Sequence, residues 1–167
     1  SKRIDDIKHL EGLSQDVLDR LALNAQQAGH DGWRLLLDEV TFTQVMTYVE
    51  DRALREEYYC AYTTRASDQG PHAGQFDNAP LLQMLVSMRQ RKARLLGFEN
   101  YAQLKLINRM VESPEQAKQF LRQQTALATP SFEQETHAIK DFALTQGFSS
   151  VEPWDHEFLV AKLRETH

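Results

Sequence analysis

A chain of 167 residues suffices for one ordinary domain, and its 41% hydrophobic and 26% charged residues lie far from disordered composition. The formal net charge of −5, with Lys and Arg interspersed, leaves no footprint for nucleic acid or an anionic membrane. No apolar run approaches the roughly 20 residues that cross a bilayer, and SKRIDDIKHL has no signal-peptide core. The single cysteine, Cys60, excludes an internal disulfide, so the expectation is a cytoplasmic chain without nucleic-acid or membrane partners.

In chain order, Ser14 is placed to cap a helix reaching Ala28, with Val17, Leu18, Leu21 and Ala25 along one face and Gly29 as its stop. Residues 33–40 (WRLLLDEV) read as a short strand or extended leg, their length arguing against a helix. Thr41 or Thr43 is expected to cap a short helix through Val49, followed by a helix from about Asp51 to Ala66. Residues 67–78 (SDQGPHAGQFDN) carry the strongest loop signal.

Asp77 or Asn78 then caps a helix to Leu96, in which Leu81, Leu85, Met88 and Leu95 form a stripe and Gly97 terminates. Asn100 opens another helix to about Val111. Ser113-Pro114-Glu115-Gln116 is a capping box for a helix reaching Gln146, with Gly147 beyond it and Pro130 expected to kink or divide it. A last helix starts near Asp155. The fold class is all-α: a multi-helical array of six or seven helices with one short extended segment, read as a single helical segment over 1–167.

Chemistry is sparse. His156-Glu157-Phe158 echoes the His-Glu-x-x-His of zinc proteases, which needs two imidazoles one turn apart so that both face the metal, but position i+4 is Val160. Glu133, His137 and Asp141 share a helix face at i, i+4 and i+8, a spacing that fits a solvated polar face better than a metal site. Cys60 sits among Tyr58, Tyr59, Ala61 and Tyr62 as a packing residue, and nothing argues for a base such as His72 beside it. The loop with Gly70, Pro71 and Gly74 lacks both phosphate-binding glycine patterns, and Arg89, Arg91, Lys92 and Arg94 read as a basic helix face.

Several phrases in order carry a resemblance: Val45-Met46-Thr47-Tyr48, Leu54-Arg55-Glu56-Glu57, Tyr62, Thr64 through Pro71 (TRASDQGP), Asp77-Asn78, Arg89, Leu95 through Tyr101 (LLGFENY) and Pro153-Trp154-Asp155. Together they resemble the thimet oligopeptidase family of zinc metallopeptidases, nearest its bacterial branch. The resemblance implies a large, helical, two-lobed peptidase whose zinc lies in a narrow channel admitting short unstructured peptides. The family's His-Glu-Phe-Gly-His and downstream Glu have no counterpart here and would fall well beyond His167. The residues after Trp154-Asp155 also depart from the family's aromatic-rich stretch.

The resemblance therefore implies an internal fragment with no catalytic, cofactor-binding or metal residue of its own, the zinc belonging to the parent enzyme. Implied partners are short peptides for the parent and the remaining lobes of the same protein. Self-association through exposed faces of the 81–96 helix and the last helix is also expected. The rival reading is a stand-alone helical interaction module without hydrolase activity.

Overall fold

Gly32 adopts φ +84°, and a Cβ there would lie 2.5 Å from the Ile4 carbonyl oxygen, an approach only glycine permits. It allows Trp33–Leu35 (β2) to pair antiparallel with Lys2–Ile4 (β1), in the register Lys2–Leu35, Arg3–Arg34 and Ile4–Trp33. This computed structural model describes residues 1–111 and 113–166. Among them are seven α-helices and this one small sheet, a predominantly helical architecture. None of these helices is long and apolar enough to cross a membrane. β1 and the single 3-10 turn Ile7–Leu10 after it carry no periodic signal in SKRIDDIKHL and are additions to the sequence reading.

The chain divides into two compact units, one of Ser1–Phe76 with His137–His167 and the other of Asp77–Thr136. The first holds Gln15–Gln27 (α1), Glu39–Tyr48 (α2) and Arg52–Thr63 (α3) around a core of Leu21, Leu35, Val45, Met46, Leu54 and Tyr58. Burying each large apolar side chain contributes about 1.5–3 kcal/mol, so this cluster is the main source of the unit's stability. Both tryptophans, Trp33 and Trp154, pack against it. The Tyr58 hydroxyl donates to the Leu36 carbonyl, and burial pushes its pKa upward, helped by the Asp38 charge.

Local chemistry corrects several boundaries. The cap of α2 is Asp38, whose carboxylate accepts from the Thr41 backbone N–H at 2.8 Å, while Thr41 and Thr43 lie inside the helix. α3 stops at Thr63 rather than Ala66: Thr64 Oγ1 donates back to the Cys60 carbonyl, and Ala66 takes the left-handed conformation at φ +55°. The turn that follows needs Gly70 at φ +78°, where a Cβ would lie 1.9 Å from Thr64 Oγ1.

In the second unit, Ala79–Leu95 (α4) starts after Asn78, with Asp77 Oδ1 accepting from the Ala79 N–H at 2.8 Å, and Gly97 ends it at φ +84°. Tyr101–Leu106 (α5) is capped by Asn100, whose Oδ1 accepts from the Gln103 N–H at 3.0 Å. It is six residues long and does not reach Val111, because a tight bond from the Arg109 N–H to the Leu106 carbonyl closes the turn.

Pro114–Thr145 (α6) contributes residues 114–136 to the second unit and 137–145 to the first. Ser113 Oγ accepts from the Gln116 N–H at 3.1 Å, as a capping serine should. Pro130 does not divide α6: the helix runs unbroken through it for 32 residues, despite a cost of about 3 kcal/mol for an interior proline. At the other end Phe148 N–H bonds to the Ala143 carbonyl and Gly147 N–H to the Leu144 carbonyl, a Schellman closure.

His156–Glu165 (α7) completes the first unit. Its expected exposed face is corrected, because Leu159 is buried with Ile139 and Ala143 of α6, with Phe158, Val160 and Leu163 packed around them. α4 presents a broad apolar surface.

Candidate functional site

The most buried polar constellation lies where α3 meets the start of α7. Asp155 and Arg55 are both fully removed from solvent. Arg52, one turn before Arg55, shares its face of α3 and reaches the same carboxylate from the solvent side. Arg52 Nη2 donates to Asp155 Oδ2 at 2.7 Å, and its Nε donates to Oδ1 at 3.0 Å. Arg55 Nη2 donates to Oδ1 at 3.0 Å, and the Glu152 backbone N–H donates to Oδ2 at 3.1 Å.

The rest of the Arg55 guanidinium is spent on backbone. Its Nε donates to the Trp154 carbonyl at 3.1 Å, and its Nη1 to the carbonyls of Val49 at 2.8 Å and Glu50 at 3.2 Å. The Phe158 ring stands with its centroid 4.2 Å from the guanidinium carbon. One side chain thus ties the α2–α3 connection, α3 and the segment before α7 together.

Electrostatics follow from this geometry. Burial pushes the Asp155 carboxyl up, but hydrogen bonds from Arg52, Glu152 and Arg55 outweigh it and leave the pKa below the ordinary value of 3.8. Burial lowers the Arg55 pKa against the opposing pull of Asp155, and the Arg52 pKa is raised, its bond to Asp155 outweighing desolvation. A carboxylate held by two guanidiniums and a backbone N–H has no lone pair disposed toward a substrate. The arrangement is a structural clamp.

A cleft of about 400 Å³ is lined by Lys2, Arg3, Asp5, Asp6, His9, Asp51 and Glu57 together with Ile4, Ala53 and Leu54. Most of its polar side chains are partnered inside it: Lys2 pairs with Glu57, Arg3 Nε lies 2.6 Å from Asp5 Oδ1, His9 Nδ1 lies 2.5 Å from Asp51 Oδ2, and Asp6 accepts from the Lys8 N–H at 3.0 Å. Burial raises the Asp51 pKa, but its bonds to His9, Leu54 and Ala53 bring it below 3.8. Asp51 also caps α3, so its carboxylate is committed to the fold.

The sequence candidates do not assemble a reaction centre. His156 and Glu157 are both exposed, 3.5 Å apart, and the side chain one turn on from His156 is Val160, so they do not form the paired imidazole and base that zinc requires. Glu133, His137 and Asp141 are exposed along α6. Among the described residues no group of three or more His, Cys, Asp or Glu could hold a metal ion. Cys60 is a free, half-buried thiol, and His72 is exposed in the loop after α3. Arg89 stacks over Tyr101, 5.4 Å from the ring centroid. The Arg52–Arg55–Asp155 clamp was not legible locally: the two arginines and the aspartate are common charged residues about 100 positions apart, and only Arg55 and Asp155 were marked, by their place inside Leu54–Glu57 and Pro153–Asp155.

Comparison with known proteins gives a consistent answer. A family model described as Peptidase family M3 matches residues 45–167. Oligopeptidase A of Salmonella typhimurium is 39% identical over 166 residues, covering 99% of this chain and 24% of that protein. Oligopeptidase A of Escherichia coli is 37% identical over 166 residues, with the same coverage. Dipeptidyl carboxypeptidase of Escherichia coli is 31% identical over 163 residues, covering 96% of this chain and 23% of that protein. The chain spans about a quarter of the length of the curated relatives it matches.

Proposed function

We propose, because the chain belongs to peptidase family M3, that residues 1–167 are a non-catalytic helical portion of a zinc-dependent oligopeptidase that hydrolyses short peptides in the cytoplasm. The observation that carries this reading is the similarity to oligopeptidase A along nearly the whole chain.

The non-catalytic part of the reading draws support from the clamp. Asp155 is held by Arg52, Arg55 and the Glu152 N–H, so its oxygens are committed to the fold. In this reading the zinc ligands and the catalytic base lie outside residues 1–167. Zinc held by residues outside 1–167 would activate the attacking water, and residues 1–167 would contribute a wall against which the remaining lobes and the peptide are arranged.

The test is the reading frame beyond His167 and the activity of its product. The expected result is a His-Glu-x-x-His in the same frame and a complete product that cleaves a short quenched peptide until a chelator is added. The 167-residue chain should cleave none and hold no stoichiometric zinc. Tightly held zinc with chelator-sensitive hydrolysis by the 167-residue chain would overturn the reading. A stop codon directly after His167 would instead favour a stand-alone interaction module.

A further inference from the structure

The apolar side chains Leu81, Leu82, Met84, Leu85, Val86 and Met88 of α4 are each between 41% and 65% exposed. At 100° per residue they spread over an arc of about 200°, roughly twice the stripe by which a surface helix faces a single core. Such width belongs to a helix enclosed from more than one side. Among the described residues the helix buries only Ala93.

The C-terminal half of α4 adds charge to that surface. The helix carries Arg89, Arg91, Lys92 and Arg94 and no carboxylate. A groove of about 330 Å³ runs along it, floored by Met88, Leu95 and Leu96 and rimmed by Arg91 and Lys92. Unlike Arg89, which stacks on Tyr101, neither rim cation makes an ion pair with a described residue.

An apolar floor between unpaired cations matches an amphipathic segment whose apolar side chains are flanked by Asp or Glu. Its source follows from length: the relatives carry about three-quarters of their polypeptide outside the region this chain matches.

We propose that α4 is an interior helix of the complete polypeptide, and that the Met88–Leu95–Leu96 groove seats an acidic amphipathic segment of that same polypeptide lying outside residues 1–167. The proposal rests on the family reading above, naming the surface through which this portion joins the rest.

Unmodified protein can be tested, because its four methionines report in place. Met84 and Met88 lie on the surface in question, Met110 is fully exposed, and Met46 is buried in the first core. Hydrogen peroxide converts exposed methionine to the sulfoxide, and mass spectrometry gives the rate at each site. In the 167-residue chain Met84 and Met88 are expected to oxidise nearly as fast as Met110, with Met46 slow.

In the complete gene product they are expected to slow by at least about tenfold, since only local opening would expose them. Reversing the rim charges there with R91E and K92E should restore Met88 oxidation, Met46 staying slow and so reporting an intact fold. Equal Met84 and Met88 rates in the short and complete proteins overturn the proposal. So does protection that grows with concentration in the short chain, which means a second copy covers α4, or a reading frame that stops at His167. Met88 that stays protected after charge reversal overturns the acidic partner.

Peptide hydrolysis by the same complete product is measured in parallel. Cleavage with fast Met88 oxidation removes the docking surface and leaves the peptidase reading. Protection without cleavage does the reverse.

Discussion

Arg55 donates to Asp155 across 3.0 Å with both side chains removed from water and 100 positions apart in the chain. Two phrases that mark the family at the level of sequence, Leu54–Glu57 and Pro153–Asp155, thus meet as the two halves of one buried contact. Removing Arg55 takes away the only fully buried cation on Asp155 and leaves the solvent-side Arg52 and the Glu152 N–H to hold it. Arg55→Ala is expected to cost about 3–5 kcal/mol, read from urea denaturation followed by fluorescence. Arg52 is largely solvated and shares the same carboxylate, so Arg52→Ala should cost about 1–2 kcal/mol. Equal losses at the two positions would show that Arg55 is not the anchor.

Acid should loosen this clamp. The Asp155 and Asp51 pKa values both lie below 3.8 in the folded protein, so as pH falls the unfolded chain takes up these protons first. Their stabilisation is complete above the ordinary carboxylate value and disappears as pH drops below 3.8 through the lower folded values. The urea midpoint should fall between about pH 4 and pH 2, and Asp155→Asn should flatten that fall while lowering stability at neutral pH. A pH profile unchanged by Asp155→Asn would remove the carboxylate from this role.

The cap of α2 gives a sharper local test. Asp38→Ala should cost about 1 kcal/mol, within the range for lost N-caps, because the Thr41 N–H loses its acceptor. Thr43 only donates to the Glu39 carbonyl behind it, so Thr43→Ala should move the midpoint by less than about 0.5 kcal/mol. Thermal or urea melts of the two variants decide which residue starts the helix.

Gly32 and Gly29 separate conformation from space. Both have positive φ, at +84° and +73°, but a Cβ at Gly29 meets nothing within 4 Å whereas at Gly32 it meets the Ile4 carbonyl. Gly29→Ala should cost about 1 kcal/mol, the left-handed penalty alone. Gly32→Ala should cost more, since the β1–β2 pairing must also open, and hydrogen exchange at residues 2–4 should accelerate in that variant only.

Much of this fold was legible because it depends on neighbours in sequence. Gly29, Gly97 and Gly147 do end helices, Ser113 does cap α6, and the apolar spacing in 15–28 and 79–96 does mark helices. What escaped was set by distant partners or competing local bonds. β1 exists because Gly32 lets Trp33–Leu35 approach it, a contact about 30 residues away. Thr41 and Thr43 are better capping candidates by position alone, but the backbone turns at Asp38, directly after three leucines. The last helix is expected to present an exposed face, whereas Leu159 packs against Ile139 and Ala143, partners about 20 residues back. The clamp needed charge pairing across the chain, which no periodicity reveals.

The placement of the two tryptophans has a practical consequence. Trp33 and Trp154 both pack on the first core, and residues 77–136 contain none. Intrinsic tryptophan emission therefore observes only one of the two units, while far-ultraviolet circular dichroism sums the helices of both. Superimposable melts by the two signals would mean that the units lose structure as one cooperative block. A dichroism transition that runs ahead of the emission change would time the earlier loss of residues 77–136 with no label added.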